Sequence, residues 1–261
     1  MQEIQRAGFG LAAISYDPMS VLADFAERRR ITFPLLSDIG SATIKAYRLL
    51  NTTVPASNRQ QYGIPFPGTL IVNRQGVVTS RTFESEYQER DTISSVIVKL
   101  GTRVDMPATS VTAPHLRIIT FTTDHVVAPG THFSVVLDVS PDAHTHVYAP
   151  GVTGYKPIRL TVEPQSVLAV REAKYPKPSD YFFKPLNEHV AVFDRPFRII
   201  QDVMVGASRE AETALADKRE LVIKATLDYQ ACDDKVCFNP QSVPLSWTVQ
   251  VKALDRERVK R

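Results

Sequence analysis

From residue 117 onward, hydrophobic and polar positions alternate with a period of two. Phe133, Val135, Leu137 and Val139 are separated by Ser134, Val136 and Asp138, and Leu221, Ile223, Ala225, Leu227 and Tyr229 continue the pattern. Val243, Leu245, Trp247, Val249 and Val251 repeat it against Pro244, Ser246, Thr248, Gln250 and Lys252. Successive side chains of a strand point to opposite faces, so each run has one face for a core and one for water. Turn sequences such as Ala128-Pro-Gly130 and Ala149-Pro-Gly151 punctuate the runs. Together they predict an all-β, immunoglobulin-like sandwich of antiparallel strands, with Trp247 in its core.

Ahead of residue 105 the pattern is mixed. Residues 10–16 read as a buried strand, and Asp17-Pro18 then opens a helix, with Asp17 as N-cap and proline at the first turn. Val21, Leu22, Phe25 and Ala26 recur at helical spacing, while Asp24, Glu27, Arg28 and Arg29 occupy the other face. A short extended piece at 33–38, a helix over 41–50, a hairpin over 69–83 turning at Gly76, and a helix over 90–100 complete the order. Strands alternating with helices predict an α/β domain. Residues 100–114 have no sustained period and carry glycine, two prolines and several Ser and Thr, which reads as a linker. The predicted organisation is an α/β domain at 1–104, a linker at 105–116, a β-domain at 117–254 and a basic tail at 255–261.

Composition narrows the function classes. The 261 residues are 43% hydrophobic, enough apolar material for two cores. A formal net charge of +3 is too slight to argue for a nucleic-acid partner. No apolar run reaches the roughly 18 residues of a membrane span. The N-terminus lacks the apolar core of a secretory signal, and the chain as given reads as soluble.

The two cysteines of the chain sit together, in Tyr229-Gln-Ala-Cys232-Asp-Asp-Lys-Val-Cys237-Phe238. If Asp234 and Lys235 form a two-residue hairpin loop, Asp233 faces Val236 as the hydrogen-bonded pair and Cys232 faces Cys237 at the next rung. Opposed Cα atoms at such a rung lie about 4.5 Å apart, within the roughly 4.4–6.8 Å that disulfides span. The thiols can therefore join and part with little backbone movement. A structural staple is the plainer alternative, but so small a ring constrains the unfolded chain by only about 2 kcal/mol. Zinc wants four ligands, and neither a second cysteine pair nor a cluster around His144 and His146 supplies them. No metal or other cofactor is expected. Asp233 and Asp234 place negative charge beside Cys232, whereas Cys237 lies nearer Lys235 and Phe238, so Cys237 is the expected partner-facing sulfur.

Two resemblances add to this reading. The strings Ala13-Ile-Ser-Tyr-Asp17, Phe33-Pro-Leu-Leu-Ser-Asp38 and Gly63-Ile-Pro-Phe-Pro-Gly-Thr-Leu-Ile-Val72, over roughly residues 1–100, resemble the peroxiredoxin-like AhpC/TSA branch of the thioredoxin fold. That resemblance implies a thioredoxin-like α/β domain incomplete at its N-terminus, because the family's cysteine-bearing strand and turn would precede residue 1. Peroxide chemistry needs an activated thiolate, and no cysteine occurs before residue 232. The domain is then either a truncated piece of a longer redoxin or a degenerate one retained for binding.

His146-Val-Tyr148, Tyr175-Pro-Lys-Pro178 and the Tyr229–Cys237 string with Pro240, within residues 118–252, resemble the N-terminal periplasmic domain of the disulfide-interchange reductase family of DsbD, also described as a cytochrome c biogenesis domain. Some members place five residues rather than four between the cysteines. The resemblance implies a thiol–disulfide oxidoreductase with Cys232 and Cys237 as the catalytic pair, acting in the periplasm or elsewhere outside the cytoplasm. Its partners would be thioredoxin-like proteins or a membrane electron-transfer domain. A short loop caps the pair in that family. Tyr181, Phe182 and Phe183 are the candidates for it here, and Tyr148, Tyr229 and Phe238 are candidates to line the site. The rival readings are a non-catalytic binding module with a structural disulfide, and a thiol peroxidase whose catalytic cysteine lies upstream.

Overall fold

The computed structural model describes residues 2–6, 8–58, 62–83, 90–99, 101, 106–183 and 187–253. The described chain is mostly β-sheet with few helices, in two compact units, Met1–Arg103 and Val104–Leu254. The predicted tail at 255–261 lies outside the described residues.

The first unit contains α1 (Gln2–Arg6), β1 (Ala13–Ser15), α2 (Met19–Arg29), β2 (Leu35–Ser37), α3 (Ala42–Ala46), β3 (Gly68–Val72), β4 (Val78–Phe83), β5 (Arg90–Asp91) and α4 (Ile93–Lys99). β1 and β2 pair in parallel, Ala13 opposite Leu35, and β3 and β4 form the expected hairpin with an irregularity at Ile71/Val72. Several boundaries differ from expectation. The strand predicted over 10–16 is paired only at Ala13–Ser15. Asp17 is not the N-cap of α2: Pro18 holds that position without a side-chain bond, because Ser15 Oγ engages the Asp17 carboxylate at 2.6 Å. Leu22 is buried, but Val21 and Phe25 of the predicted apolar face are exposed. The helix predicted over 41–50 ends at Ala46, where Arg48 adopts φ 57° and turns the chain. Its start is held by Asp38, whose carboxylate accepts from the Thr43 and Ile44 amides; those bonds, first that from Ile44, lower the Asp38 pKa.

The second unit contains β6 (Thr109–Ala113), β7 (Leu116–Thr122), β8 (Val126–Val127), β9 (Thr131–Pro141), β10 (His146–Tyr148), β11 (Arg159–Val162), β12 (Leu168–Val170), β13 (Ser179–Phe183), β14 (Glu188–Phe193), β15 (Phe197–Val205), α5 (Arg209–Leu215), β16 (Glu220–Tyr229), β17 (Ala231–Cys232) and β18 (Gln241–Val251). One sheet runs β12-β15-β9-β7-β6, a second β11-β16-β18-β8, and a smaller third β13-β14-β10-β17. Residues 109–113, expected in the linker, are instead β6, with Val111 opposite Ile118. Val111 and Ala113 sit at alternate positions facing the core, so β7 and the core recruit this stretch despite its Ser/Thr content.

The first two sheets share one core. Phe133, Val135, Leu137 and Val139 meet Leu221, Ile223, Leu227, Leu245 and Val249, residues whose alternation defined the strands, and Ile118 of β7 joins them. Trp247 lies among them, 7% exposed, and its indole N–H donates to Thr120 Oγ1 at 2.9 Å. Tyr229 is also core: it is fully buried and its hydroxyl donates to the Pro114 carbonyl at 2.6 Å. The expectation that Tyr229 lines the site is thereby corrected, since its phase on β16 is that of Leu221 to Leu227. Replacing Tyr229 with Phe removes one donor without changing ring packing, and should cost about 1 kcal/mol in urea unfolding. No helix among the described residues is long and apolar enough to cross a membrane.

Candidate functional site

The small third sheet has two different faces. Val147, Ala231 and Phe193 point into the shared core, while Tyr148, Val190, Val192 and Cys232 cluster on the opposite face with Tyr155 and Tyr181. β17 continues the line of β16 past Gln230 and pairs with β10, placing His146 opposite Cys232 and Val147 opposite Ala231. The cysteine hairpin thus presents its sulfurs on the outward face of this sheet.

Cys232 and Cys237 oppose each other across the hairpin and are joined by a disulfide, with an S–S distance of 2.06 Å and a Cα separation of 4.0 Å. The register matches the sequence reading, and the strands approach more closely than the expected 4.5 Å. Phe238 N–H donates to the Ala231 carbonyl, and Asp233 N–H donates to the Val236 carbonyl at 3.0 Å. The return bond from Val236 takes another route. Its amide and that of Lys235 both donate to Asp233 Oδ1, at 2.7 Å each, so the Asp233 side chain closes the turn. These backbone donors, first Val236 and then Lys235, hold the Asp233 carboxyl below its ordinary pKa. Asp234 acts differently. It accepts a 2.8 Å hydrogen bond from the Tyr181 hydroxyl, which ties β13 to the turn.

The two sulfurs have unequal surroundings. Cys232 is 1% exposed, whereas Cys237 is exposed at the surface. Tyr148 lies under the bridge, its hydroxyl 3.3 Å from Cys232 Sγ and 3.4 Å from Cys237 Sγ. A disulfide has no S–H, so the phenol O–H is the donor in both contacts. Burial first, then the neighbouring Tyr155, Glu188 and Tyr181, push the Tyr148 pKa up to about 12. The phenol therefore keeps its proton throughout the neutral range. Tyr155 stacks on Tyr148 at 4.2 Å and donates its own hydroxyl to Glu188.

A small cavity of about 50 Å³ opens beside the bridge, lined in part by His146, Tyr148, Phe183, Val236 and both cysteines. Of the three cap candidates, Tyr181 and Phe183 are on the site's side of β13. Phe182 faces the other way, where it packs on His189 at 4.9 Å, because alternate residues of a strand point oppositely. Phe238 does not line the cavity either: it packs against the shared core and stacks on His115 at 3.7 Å. His144 is in a turn at φ 61° before β10, off the strand that carries His146. Among the described residues no group of three or more His, Cys, Asp or Glu could hold a metal ion.

The sequence reading missed His146 as a neighbour of the sulfurs and missed Tyr155 altogether. His146 carries a legible signal, since it lies two residues from Tyr148 on the same strand. Its ring is buried, 4.5 Å from Tyr181 and 5.5 Å edge-on from Tyr148. Burial lowers its pKa, against the opposing pull of Asp234, Asp194 and Asp233. Tyr155 belongs to no strand and gave no sequence signal.

Among solved structures, the likenesses are weak. The N-terminal periplasmic domain of ScsB from Proteus mirabilis aligns at 13% identity over 52% of this chain and 49% of that one, with a TM-score of 0.36. This chain therefore spans about half the length of that structure. The reduced N-terminal domain of DsbD from Neisseria meningitidis aligns at 14% identity over 45% of this chain and 81% of that one, with a TM-score of 0.29. The GAE domain of yeast GGA1 aligns at 13% identity over 54% of this chain and 98% of that one, with a TM-score of 0.32. No curated protein matches the chain. Residues 1–81 match the AhpC/TSA family, of thioredoxin fold, and this match together with the cysteine pair at disulfide distance supports a redox or disulfide-related role.

Proposed function

We propose that the chain is a thiol–disulfide electron carrier of the DsbD N-terminal type, built on an immunoglobulin-like sandwich and working outside the cytoplasm. Its partners are thioredoxin-like proteins or a membrane electron-transfer domain. The observation that carries the reading is the asymmetry of the bridge: an exposed Cys237 sulfur joined to a buried Cys232 sulfur, with a phenol donor at both. A partner thiolate attacks Cys237 Sγ, the Cys232–Cys237 bond breaks, and its electron pair leaves on Cys232, where the Tyr148 O–H stabilises the new charge. A second partner thiolate then attacks the mixed disulfide at the partner's own sulfur, leaving both cysteines of this chain reduced. The same steps reversed pass two electrons to an acceptor disulfide.

Both cysteines of the chain are in the hairpin, and the proposed exchange runs there. Tyr181 and Phe183 form the cap side of the site, with the Tyr181–Asp234 hydrogen bond as its latch.

Equilibration of the protein in dithiothreitol and glutathione buffers tests the proposal directly. A carrier's bridge should titrate between about −120 and −270 mV. A midpoint below about −300 mV would place it among structural disulfides and overturn the reading.

A further inference from the structure

We propose that His146 is the base that removes the proton from Cys232 when that thiol resolves a mixed disulfide held on Cys237. This rests on the exchange reading above and assigns a role within it. In the oxidative half of the cycle, Cys237 has attacked an acceptor and carries it as a mixed disulfide. Cys232 must then lose its proton and attack Cys237 Sγ. The Cys232–Cys237 bond forms, the Cys237–acceptor bond breaks, and the acceptor departs as a thiolate. The proton has to go to a group near Cys232, whose sulfur is almost entirely shielded from water.

The site offers few destinations. Cys232 faces His146 directly across the β10–β17 pairing, and directly opposed side chains have Cβ atoms about 4.5–5.5 Å apart, a span an imidazole arm can cross. Both residues line the same cavity. Tyr148 touches the sulfurs, but a phenol with its pKa pushed up to about 12 is protonated and acts as a donor. The Lys235 and Val236 amides both donate to Asp233 Oδ1 and hold that carboxyl below its ordinary pKa, which makes it a weak base, and Asp234 is exposed on the turn with Oδ1 bound by the Tyr181 hydroxyl. Lys235 is a cation, and Tyr155 is hydrogen-bonded to Glu188. From just past β14, Asp194 bears on the ring from beyond the strand end and accepts from Ser179 Oγ. The pair Asp180–His189 belongs to the opposite face of β13 and β14, in step with Phe182. His146 is the buried base directly opposite Cys232, and burial lowers its pKa from the ordinary imidazole value, which favours the neutral form a base requires.

The test uses reduced full-length protein and an aromatic disulfide, 5,5′-dithiobis(2-nitrobenzoate), followed by stopped-flow absorbance. Attack by Cys237 releases the first thionitrobenzoate, and resolution by Cys232 releases the second. In the wild type the second phase should be flat across neutral pH and fall on acidification, with a midpoint below the ordinary imidazole pKa of about 6.5. In His146→Gln the ratio of second-phase to first-phase rate should drop about a hundredfold at pH 7. The remaining rate should climb about tenfold per pH unit as hydroxide replaces the base. His146→Asn repeats the measurement in a smaller side chain. NMR titration of His146 in reduced wild type provides a readout that needs no substitution. A wild-type rate ratio and pH profile in the variants, or a His146 midpoint that does not coincide with the acid limb, overturns the assignment. Absence of a second release from the wild type itself would instead sink the exchange reading on which it rests.

Discussion

Cys232→Ser accumulates a covalent complex with a thioredoxin-like partner, and Cys237→Ser accumulates little. The expectation follows from exposure. With Cys232 removed, the exposed Cys237 still reacts with a partner disulfide, but no second thiol resolves the product, so the mixed disulfide persists. With Cys237 removed, the surviving thiol is 1% exposed beneath the hairpin and the Tyr181 side of the site, and a folded partner's sulfur cannot approach it. Both variants lose turnover completely, because each lacks half of the dithiol. Non-reducing electrophoresis and mass spectrometry of the trapped species read the difference. Stronger trapping by Cys237→Ser would reverse the assignment of the two sulfurs.

Trp247→Ala should have the largest effect on stability, about 3–5 kcal/mol. The indole fills the space between the first two sheets with Ile223 opposite it across β16 and β18, and it is almost wholly buried. Truncation removes its buried apolar surface, leaves a cavity that rigid flanking strands cannot collapse, and strips Thr120 Oγ1 of its indole donor. Thr120 still donates its own hydroxyl proton to the Val136 carbonyl, so the loss is chiefly one of packing. Urea unfolding followed by far-UV circular dichroism measures it. A loss below about 1 kcal/mol would mean that the sheets close over the gap.

The period-two pattern placed β9, β16 and β18 and named residues of their core faces, but it gave β9 a water-facing side where Ser134 and Val136 are fully buried, and it did not reveal β15. It also carried information that proximity to the cysteines obscured. Tyr229 lies two residues beyond Leu227, in phase with Leu221, Ile223 and Ala225, and that phase marks it as core. Phe182 falls between Tyr181 and Phe183 and so belongs to the other face of β13. Residues 109–113 read as linker because Thr109, Ser110 and Thr112 dominate them, yet Val111 and Ala113 supply enough inward-facing surface for a strand. In the first unit, the helix expected over 41–50 stops at Ala46, where Arg48 turns the chain, and the Ser15–Asp17 bond engages the side chain expected to cap α2.

Residue spacing alone determined that the two sulfurs meet. A hairpin of this length fixes which residues oppose each other, because backbone hydrogen bonding between adjacent strands is local. Tertiary structure decided everything that distinguishes one sulfur from the other: the burial of Cys232, the exposure of Cys237, Tyr148 beneath both, His146 across from Cys232, and Tyr181 reaching Asp234. Those neighbours come from strands far away along the chain. Alternation tells which face of its own strand a side chain occupies, but the strand that pairs beside it is chosen by the burial of the whole core.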